Sequence, residues 1–281
     1  MELPSFVVVG PPRTGTSWLH KVLEPHATLP SPTKETRFFD LHFERGLDWY
    51  RRRFPRPAHG PVGEVAPTYF ASADARHNIA STIPDAKIVF IFRNPVQRAV
   101  SLYRMKCAYG RIPSDFEEAL RTDPELINSG LYWTQLAEWR ALFPERQLLI
   151  TTYDDLVNTP QAFVDTVTDF IGMREIRLTA SQAQRVYSSE RMTQPRSYVA
   201  TRAATLFADW CKSRGLDQVV ASVRTSSFIK LFLGGGKPLP DISPSAIQKL
   251  SEIFRPEVEG LECLLGRGLE TWKVQDGVHQ E

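Results

Sequence analysis

Three short apolar runs, at residues 6–9, 87–92 and 147–152, stand out along the chain, each rich in β-branched residues and too short to be a buried helix. They are continuous rather than alternating, which is the pattern of strands covered on both faces. Between them, apolar positions recur every three or four residues. Over 160–171 the spacing predicts a helix: Thr159 as N-cap, Pro160 at the first helical position, Phe163, Val167, Phe170 and Ile171 along one face, and Gly172 as the stop. A second helix carries Tyr132, Leu136, Trp139 and Phe143 at the same spacing, and this face reads as core. Strands alternating with helices predict an α/β fold: a P-loop-like parallel sheet flanked by helices on both faces. The Pro- and Arg-rich stretch 51–61 reads as a surface connection, and 173–232 carries mixed helical signals that read as a helical portion.

Composition narrows the class. A chain of 281 residues, 42% hydrophobic and without internal repeats, can bury one sizeable core, so 1–281 reads as a single domain. A net charge of +2 gives no reason to expect nucleic acid as a partner. Cys107, Cys211 and Cys263 are odd in number and widely spaced, forming neither a metal pattern nor a disulfide framework. No apolar stretch approaches the roughly 20 residues of a membrane span, and the first strand begins almost at once, leaving no room for a signal peptide. The expectation is a cytoplasmic protein.

The chemistry begins where the first strand ends. Gly10 and Gly15 bracket Pro11-Pro12-Arg13-Thr14, and Thr16-Ser17-Trp18 follow as a helix opens. Main-chain N–H groups in such a turn converge on an anion at a helix N-terminus. The spacing is that of a nucleoside-triphosphate loop, yet Thr16 stands where that loop needs lysine, and the cation is Arg13 instead. A second strand-to-helix junction reads Phe92-Arg93-Asn94-Pro95, continuing to Arg98 and Ser101. Arg93 emerges at the strand's carboxyl end, where open α/β sheets bind ligands, and its guanidinium fork suits phosphate. Arg98 reads as a solvated or ion-paired helix residue.

These motifs resemble sulfotransferases that use 3′-phosphoadenosine 5′-phosphosulfate (PAPS). The loop Arg13-Thr-Gly-Thr resembles their 5′-phosphosulfate loop, and RNPVQRAVS at 93–101 their 3′-phosphate site. Lys34-Glu-Thr-Arg-Phe-Phe-Asp40 resembles the KExxFFD segment of the heparan-sulfate-type branch and its bacterial relatives. So do Gly46-Leu-Asp-Trp-Tyr50, Gly63-Glu-Val-Ala-Pro-Thr-Tyr-Phe70, Gly130-Leu-Tyr132 and Leu233-Gly-Gly-Gly-Lys-Pro-Leu-Pro240. The resemblance implies a sulfotransferase fold. It implies donor contacts from Arg13, Thr14, Gly15, Thr16, Ser17, Trp18, Arg93 and Ser101, and a cofactor-covering loop over 233–240 with Gly235, Gly236 and Lys237. It implies Glu35 as general base, with Lys34 and Arg13 at the transferring group, and Arg37, Asp40, Tyr69 and Tyr132 on the acceptor side.

The implied reaction is in-line displacement at sulfur. A sulfuryl group carries less charge than a γ-phosphoryl group, so no metal is expected, only PAPS as co-substrate. His20, His26 and His42 are bases by chemistry, with His20 expected to face outward on the first helix. Two departures bear on the acceptor: Val65 and Ala66 replace the branch's Lys-Ser/Thr, and Arg37 replaces its histidine. Arg45, Arg51, Arg52, Arg53 and Arg56 form a basic cluster that reads as a solvated face but leaves a glycan conceivable. The expected acceptor is a hydroxyl, less readily an amine, of a small carbohydrate, lipid or secondary metabolite. Two other readings stand beside it: a magnesium-dependent P-loop kinase or nucleotide triphosphatase, and a non-catalytic nucleotide-binding protein on the same fold.

Overall fold

The computed structural model describes residues 2–55, 58, 60–184, 197–213 and 238–273. The chain divides into two compact units, one of 1–94 with 131–187 and the other of 95–130 with 188–281. The first unit holds a parallel sheet of four strands, β1 (Phe6–Val8), β2 (Gly63–Val65), β3 (Lys87–Phe92) and β4 (Leu148–Thr152), in the order β2-β1-β3-β4. The register sets Val8 beside both Val65 and Val89, and Phe90 beside Ile150. The pattern of apolar positions anticipates β1, β3 and β4. β2 is only three residues long with a glutamate at its centre, too little for any period to show. Gln147 is not part of β4: its amide donates to the carbonyls of Pro84 and Ala86, at 2.7 and 3.0 Å.

The same unit carries α1 (Thr16–Leu23), α2 (Phe38–Leu41), α3 (Gly46–Arg51), α4 (Ala73–Thr82), α8 (Tyr132–Arg140), α9 (Tyr153–Asn158), α10 (Pro160–Ile171) and α11 (Ala180–Gln184). Both faces of the sheet are covered. On one, Leu19 and Val22 of α1 and Phe163 and Val167 of α10 share a core with Val8, Val89 and Ile91. On the other, Phe90 and Phe92 meet Phe70, Tyr132 and Trp139, and the Trp139 indole donates to the Phe70 carbonyl at 3.0 Å. Each such side chain removed from water stabilises the fold by about 1.5–3 kcal/mol. α10 starts at Pro160 and stops at left-handed Gly172 as its sequence requires. The Thr159 hydroxyl does not cap it, donating instead to the Asp155 carbonyl at 3.1 Å.

The second unit comprises α5 (Pro95–Ala108), α6 (Phe116–Thr122), α7 (Glu125–Asn128), α12 (Tyr198–Ser213), α13 (Pro244–Leu265) and α14 (Glu270–Lys273). It corrects the reading of Arg98. Val96, Ala99, Val100, Leu102 and Tyr103 of α5 are all buried, so Arg98 is drawn in with them, 0% exposed, and donates to the Leu126 carbonyl. The expected helical portion is represented by α11 and α12, whereas 185–196 and 214–237, with Arg56, lie outside the described residues.

The chain leaves β1 for β2 on one side and reaches β3 on the other. The winding therefore reverses between β1 and β3, whose carboxyl ends flank the crevice that such sheets use for ligands. Gly10 lets the loop after β1 approach β3 closely: a Cβ there would stand 2.8 Å from the Ile91 nitrogen and 3.0 Å from its oxygen. Gly10→Ala is therefore expected to lose about 1–3 kcal/mol of stability in denaturant unfolding, because the obstacle is backbone and cannot rotate away. An unchanged midpoint would mean the two segments are not in register.

Candidate active site

The loop after β1 is held in a shape that most residues avoid. Arg13 has φ 78° and Gly15 φ 93°, on either side of Thr14, whose φ is not positive. Alternation of this kind turns successive N–H groups toward one concavity. Only glycine adopts the left-handed region freely, so Arg13 stores about 1–2 kcal/mol of strain. Thr14 braces the turn: it is fully buried and its hydroxyl donates to the Pro11 carbonyl at 2.8 Å. Gly15 precedes α1 without a side-chain cap, and a Cβ on it would come within 2.9 Å of Leu156 and 3.3 Å of Tyr153. Gly15 is thus required both by its φ and by the side chains packed against it, and the turn it closes stands at the start of a helix, a position that suits the phosphate end of a nucleotide.

Lys34 ties this loop to the segment that follows. Its ammonium donates to Ser17 Oγ at 3.3 Å and stands 3.7 Å from Glu35 Oε1, with the two side chains 23% and 27% exposed. Burial lowers the Lys34 pKa, and Glu35 acts against that shift. Arg37, also left-handed at φ 54°, places its guanidinium on Asp40 Oδ2 at 2.7 Å. Beneath them lies Glu64 of β2, 0% exposed, accepting from Thr36, Tyr50 and Tyr69. Burial raises the Glu64 carboxyl to about 7 despite these donors.

At the end of β3, the Arg93 guanidinium lies 4.6 Å over the ring of Tyr153, the residue that also walls Gly15. The Arg93 carbonyl accepts from the Tyr132 hydroxyl at 2.8 Å. Ser101 is buried in α5, within the second unit.

The first unit therefore brings together Arg13, Thr14, Gly15, Thr16, Ser17, Lys34 and Glu35. Three further expected contacts have side chains turned to the interior, Tyr132 as the core reading of its helix face anticipates. Trp18 is 4% exposed, with its indole donating to the Gln182 carbonyl and its ring edge-on to Phe163. Tyr132 and Tyr69 are 0% exposed, their hydroxyls engaged by Arg93 and by the Glu64 cluster. His20 does not face outward either: its Nε2 is buried, and burial together with Lys34 and Lys21 lowers its pKa to about 4. Gly235, Gly236 and Lys237 lie outside the described residues. Glu64 and Tyr153 escape a reading of the sequence. A lone charge in a short apolar strand and a tyrosine opening a helix carry no local signature of their surroundings.

Residues 3–260 match the family model described as "Sulfotransferase domain". Among curated proteins, the chain is 33% identical over 184 residues to human heparan sulfate glucosamine 3-O-sulfotransferase 6, covering 62% of this chain and 54% of that one. It is 30% identical over 185 residues to human heparan sulfate glucosamine 3-O-sulfotransferase 3B1, covering 62% and 47%. It is 32% identical over 196 residues to the bovine bifunctional heparan sulfate N-deacetylase/N-sulfotransferase 2, covering 61% and 22%. The chain thus spans about half, or less, of the length of these relatives. A crystal structure of a sulfotransferase from Alicyclobacillus acidocaldarius shares the fold, with TM-score 0.67 and 22% identity over 98% of this chain and 100% of that one. The relatives also correct the cytoplasmic expectation, for the heparan sulfate sulfotransferases are not cytoplasmic enzymes. Among the described residues no helix is long and apolar enough to cross a membrane.

The environment of His20 yields a measurable value. Its folded pKa lies below the ordinary 6.5, so any stability linked to its neutral ring is present above about 6.5 and lost as the pH falls toward 4. An NMR titration is expected to give a midpoint near 4, whereas a midpoint near 6.5 would place the ring in solvent.

Proposed function

The chain belongs to the sulfotransferase domain family, and from that premise we propose that it moves a sulfuryl group from PAPS to an acceptor hydroxyl. The observation that carries the proposal is the junction made by Lys34, whose ammonium meets Ser17 of the anion loop on one side and Glu35 on the other. A base, a cation and a phosphate cradle are the parts that in-line transfer to oxygen requires.

When bound, PAPS supplies an activated sulfuryl group and yields 3′,5′-adenosine bisphosphate as product. Arg13, the amides of Thr14, Gly15 and Thr16, and the hydroxyls of Thr16 and Ser17 would hold its 5′ end and stabilise charge on the bridging oxygen. Arg93, just past β3, would take the 3′-phosphate, and the resemblance assigns Ser101 of α5 to the same group. Gly235, Gly236 and Lys237 would cover the nucleotide. Glu35 would withdraw the acceptor's proton, a contribution of about 10²- to 10⁴-fold, while Lys34 offsets charge at the transferring group. On this reading no divalent metal is needed, and both compact units belong to one transferase domain.

Small carbohydrates, lipids and secondary metabolites all offer a suitable hydroxyl. The carbohydrate is favoured, because the curated relatives are named for heparan sulfate. Arg37 and Asp40, an ion pair that follows Glu35 in the chain, would hold the acceptor.

Calorimetry with 3′,5′-adenosine bisphosphate and with ATP, each with and without magnesium, tests the donor. The bisphosphate is expected to bind without metal; binding of ATP alone, dependent on magnesium, would identify a kinase or triphosphatase instead. Arg13→Gly relieves the strained φ while raising the entropy of the unfolded chain, so stability should stay within about 1 kcal/mol. Bisphosphate affinity should fall at least about tenfold through loss of a charge-assisted contact. Equal affinities would remove Arg13 from the site. With labelled PAPS and an acceptor panel, Glu35→Gln should lower turnover about 10²-fold or more with nucleotide affinity nearly intact, and an unchanged rate would exclude Glu35 as base.

A further inference from the structure

Glu64 stands outside the roles assigned so far, and its surroundings are unusual. Its Oε1 accepts from the Thr36 main-chain N–H and the Thr36 hydroxyl, both at 2.7 Å, and from Tyr69 at 3.3 Å, while Oε2 accepts from Tyr50 at 2.8 Å. The donors are themselves held: Thr36 Oγ1 accepts from the Phe38 N–H at 3.1 Å, and the Tyr69 oxygen from the Phe39 N–H at 3.4 Å. Unpaired N–H groups at the start of α2 thus end on hydroxyls that in turn donate hydrogen bonds to Glu64. An ionised carboxylate only accepts, so four donors suit the charged form, and a proton on Glu64 would displace one of them.

The Thr36 N–H is the nitrogen side of the Glu35–Thr36 peptide. Whatever fixes it fixes the main chain from which Glu35 and Lys34 project. Resting on the transferase reading above, we propose that Glu64 is a positioning residue: through the Thr36 amide and hydroxyl it sets where Glu35 and Lys34 stand against Ser17 of the anion loop. Glu64 reaches the reaction only through Thr36. A simpler packing role would demand a buried side chain of the right size, but not a carboxylate that accepts twice from Thr36, the residue next to the base, while Tyr50 and Tyr69 hold it from other segments.

The groups facing Glu64 make its protonation legible. Tyr50 and Tyr69 are raised well above 10, largely by burial and then by Glu64 itself, so both stay donors through neutrality. Glu35 raises Glu64 further by repulsion, and the Thr36 and Tyr50 hydrogen bonds lower it, leaving it near 7. Protonation below that value removes an acceptor site and slackens the anchor, so turnover should fall on the acid side.

The test compares the parent with Glu64→Gln, Thr36→Ser and Thr36→Ala by three readings: bisphosphate affinity, the pH profile of kcat with labelled PAPS, and hydrogen exchange at the Thr36 amide. For Glu64→Gln we expect affinity within about threefold, kcat lowered roughly 10- to 100-fold with KM little changed, and the acid limb near pH 7 gone. Exchange at Thr36 should rise at least tenfold against unchanged sheet amides, about 1.4 kcal/mol of local opening. Thr36→Ser, which keeps both donors, should behave as the parent, and Thr36→Ala should fall between. A folded Glu64→Gln protein with parental kcat at every pH, or with parental protection at Thr36, would overturn the assignment. Should Glu64→Gln fail to fold, equal kcat in the two Thr36 variants would overturn it as well. A parent that neither binds the bisphosphate nor turns over would sink the transferase reading instead, and exchange at Thr36 would still decide the anchor.

Discussion

A carboxylate shut away from water must find its donors inside the protein, and the ligand-facing edge of the first unit is arranged around one that does. Glu64 gathers a main-chain amide, a threonine hydroxyl and two phenols. Desolvating a carboxylate is expensive, and hydrogen bonds to a charged group return about 1.5–3 kcal/mol each, so the cluster is stable only while all its members are present. That requirement locks residues 34–40 to β2. It also accounts for the aromatic density around α2, where Phe38 stacks on Tyr50 at 4.3 Å and Phe39 meets Tyr69 edge-on at 5.8 Å.

The opposite wall of the same edge is built by exclusion rather than attraction. Gly10 permits the loop to pass against Ile91, Gly15 leaves room beside Leu156 and Tyr153, and Arg13 endures a backbone angle that glycine would adopt freely. Strain of this kind persists only where packing over-determines it, and here Thr14 pins the turn from within. Lys34 spans the gap between the excluded-volume wall and the anchored one, touching Ser17 and Glu35 together. The sheet's winding explains why the two walls meet: β1 sits between β2, which supplies Glu64, and β3, which leads into Arg93.

Tyr153 shows how one side chain touches both candidate anion turns. Its ring walls the cradle at Gly15 and lies under the Arg93 guanidinium, so the cation is oriented by the same ring that shapes the loop. The Tyr132 hydroxyl holds the Arg93 carbonyl from the sheet's aromatic face. Tyr132 thus acts as a strut, its hydroxyl tied to the backbone of the junction.

By itself the sequence determined what depends on local conformation. Short continuous β-branched runs pointed to covered strands, Pro160 and Gly172 bound a helix by their own φ preferences, and Gly10-x-x-x-x-Gly15 with Arg13 marked a tight strand-to-helix turn. Lys34 and Glu35 were legible as chemistry because they sit in a recognisable string. Only the tertiary structure decided which polar groups leave water. Arg98 read as a solvated or ion-paired helix residue and His20 as an outward-facing base, and nothing in the motif around Glu64 marked it as buried, until distant segments closed over them. Burial is a property of what packs on a residue from elsewhere in the chain, and it is burial that turned a strand glutamate into the anchor of the site.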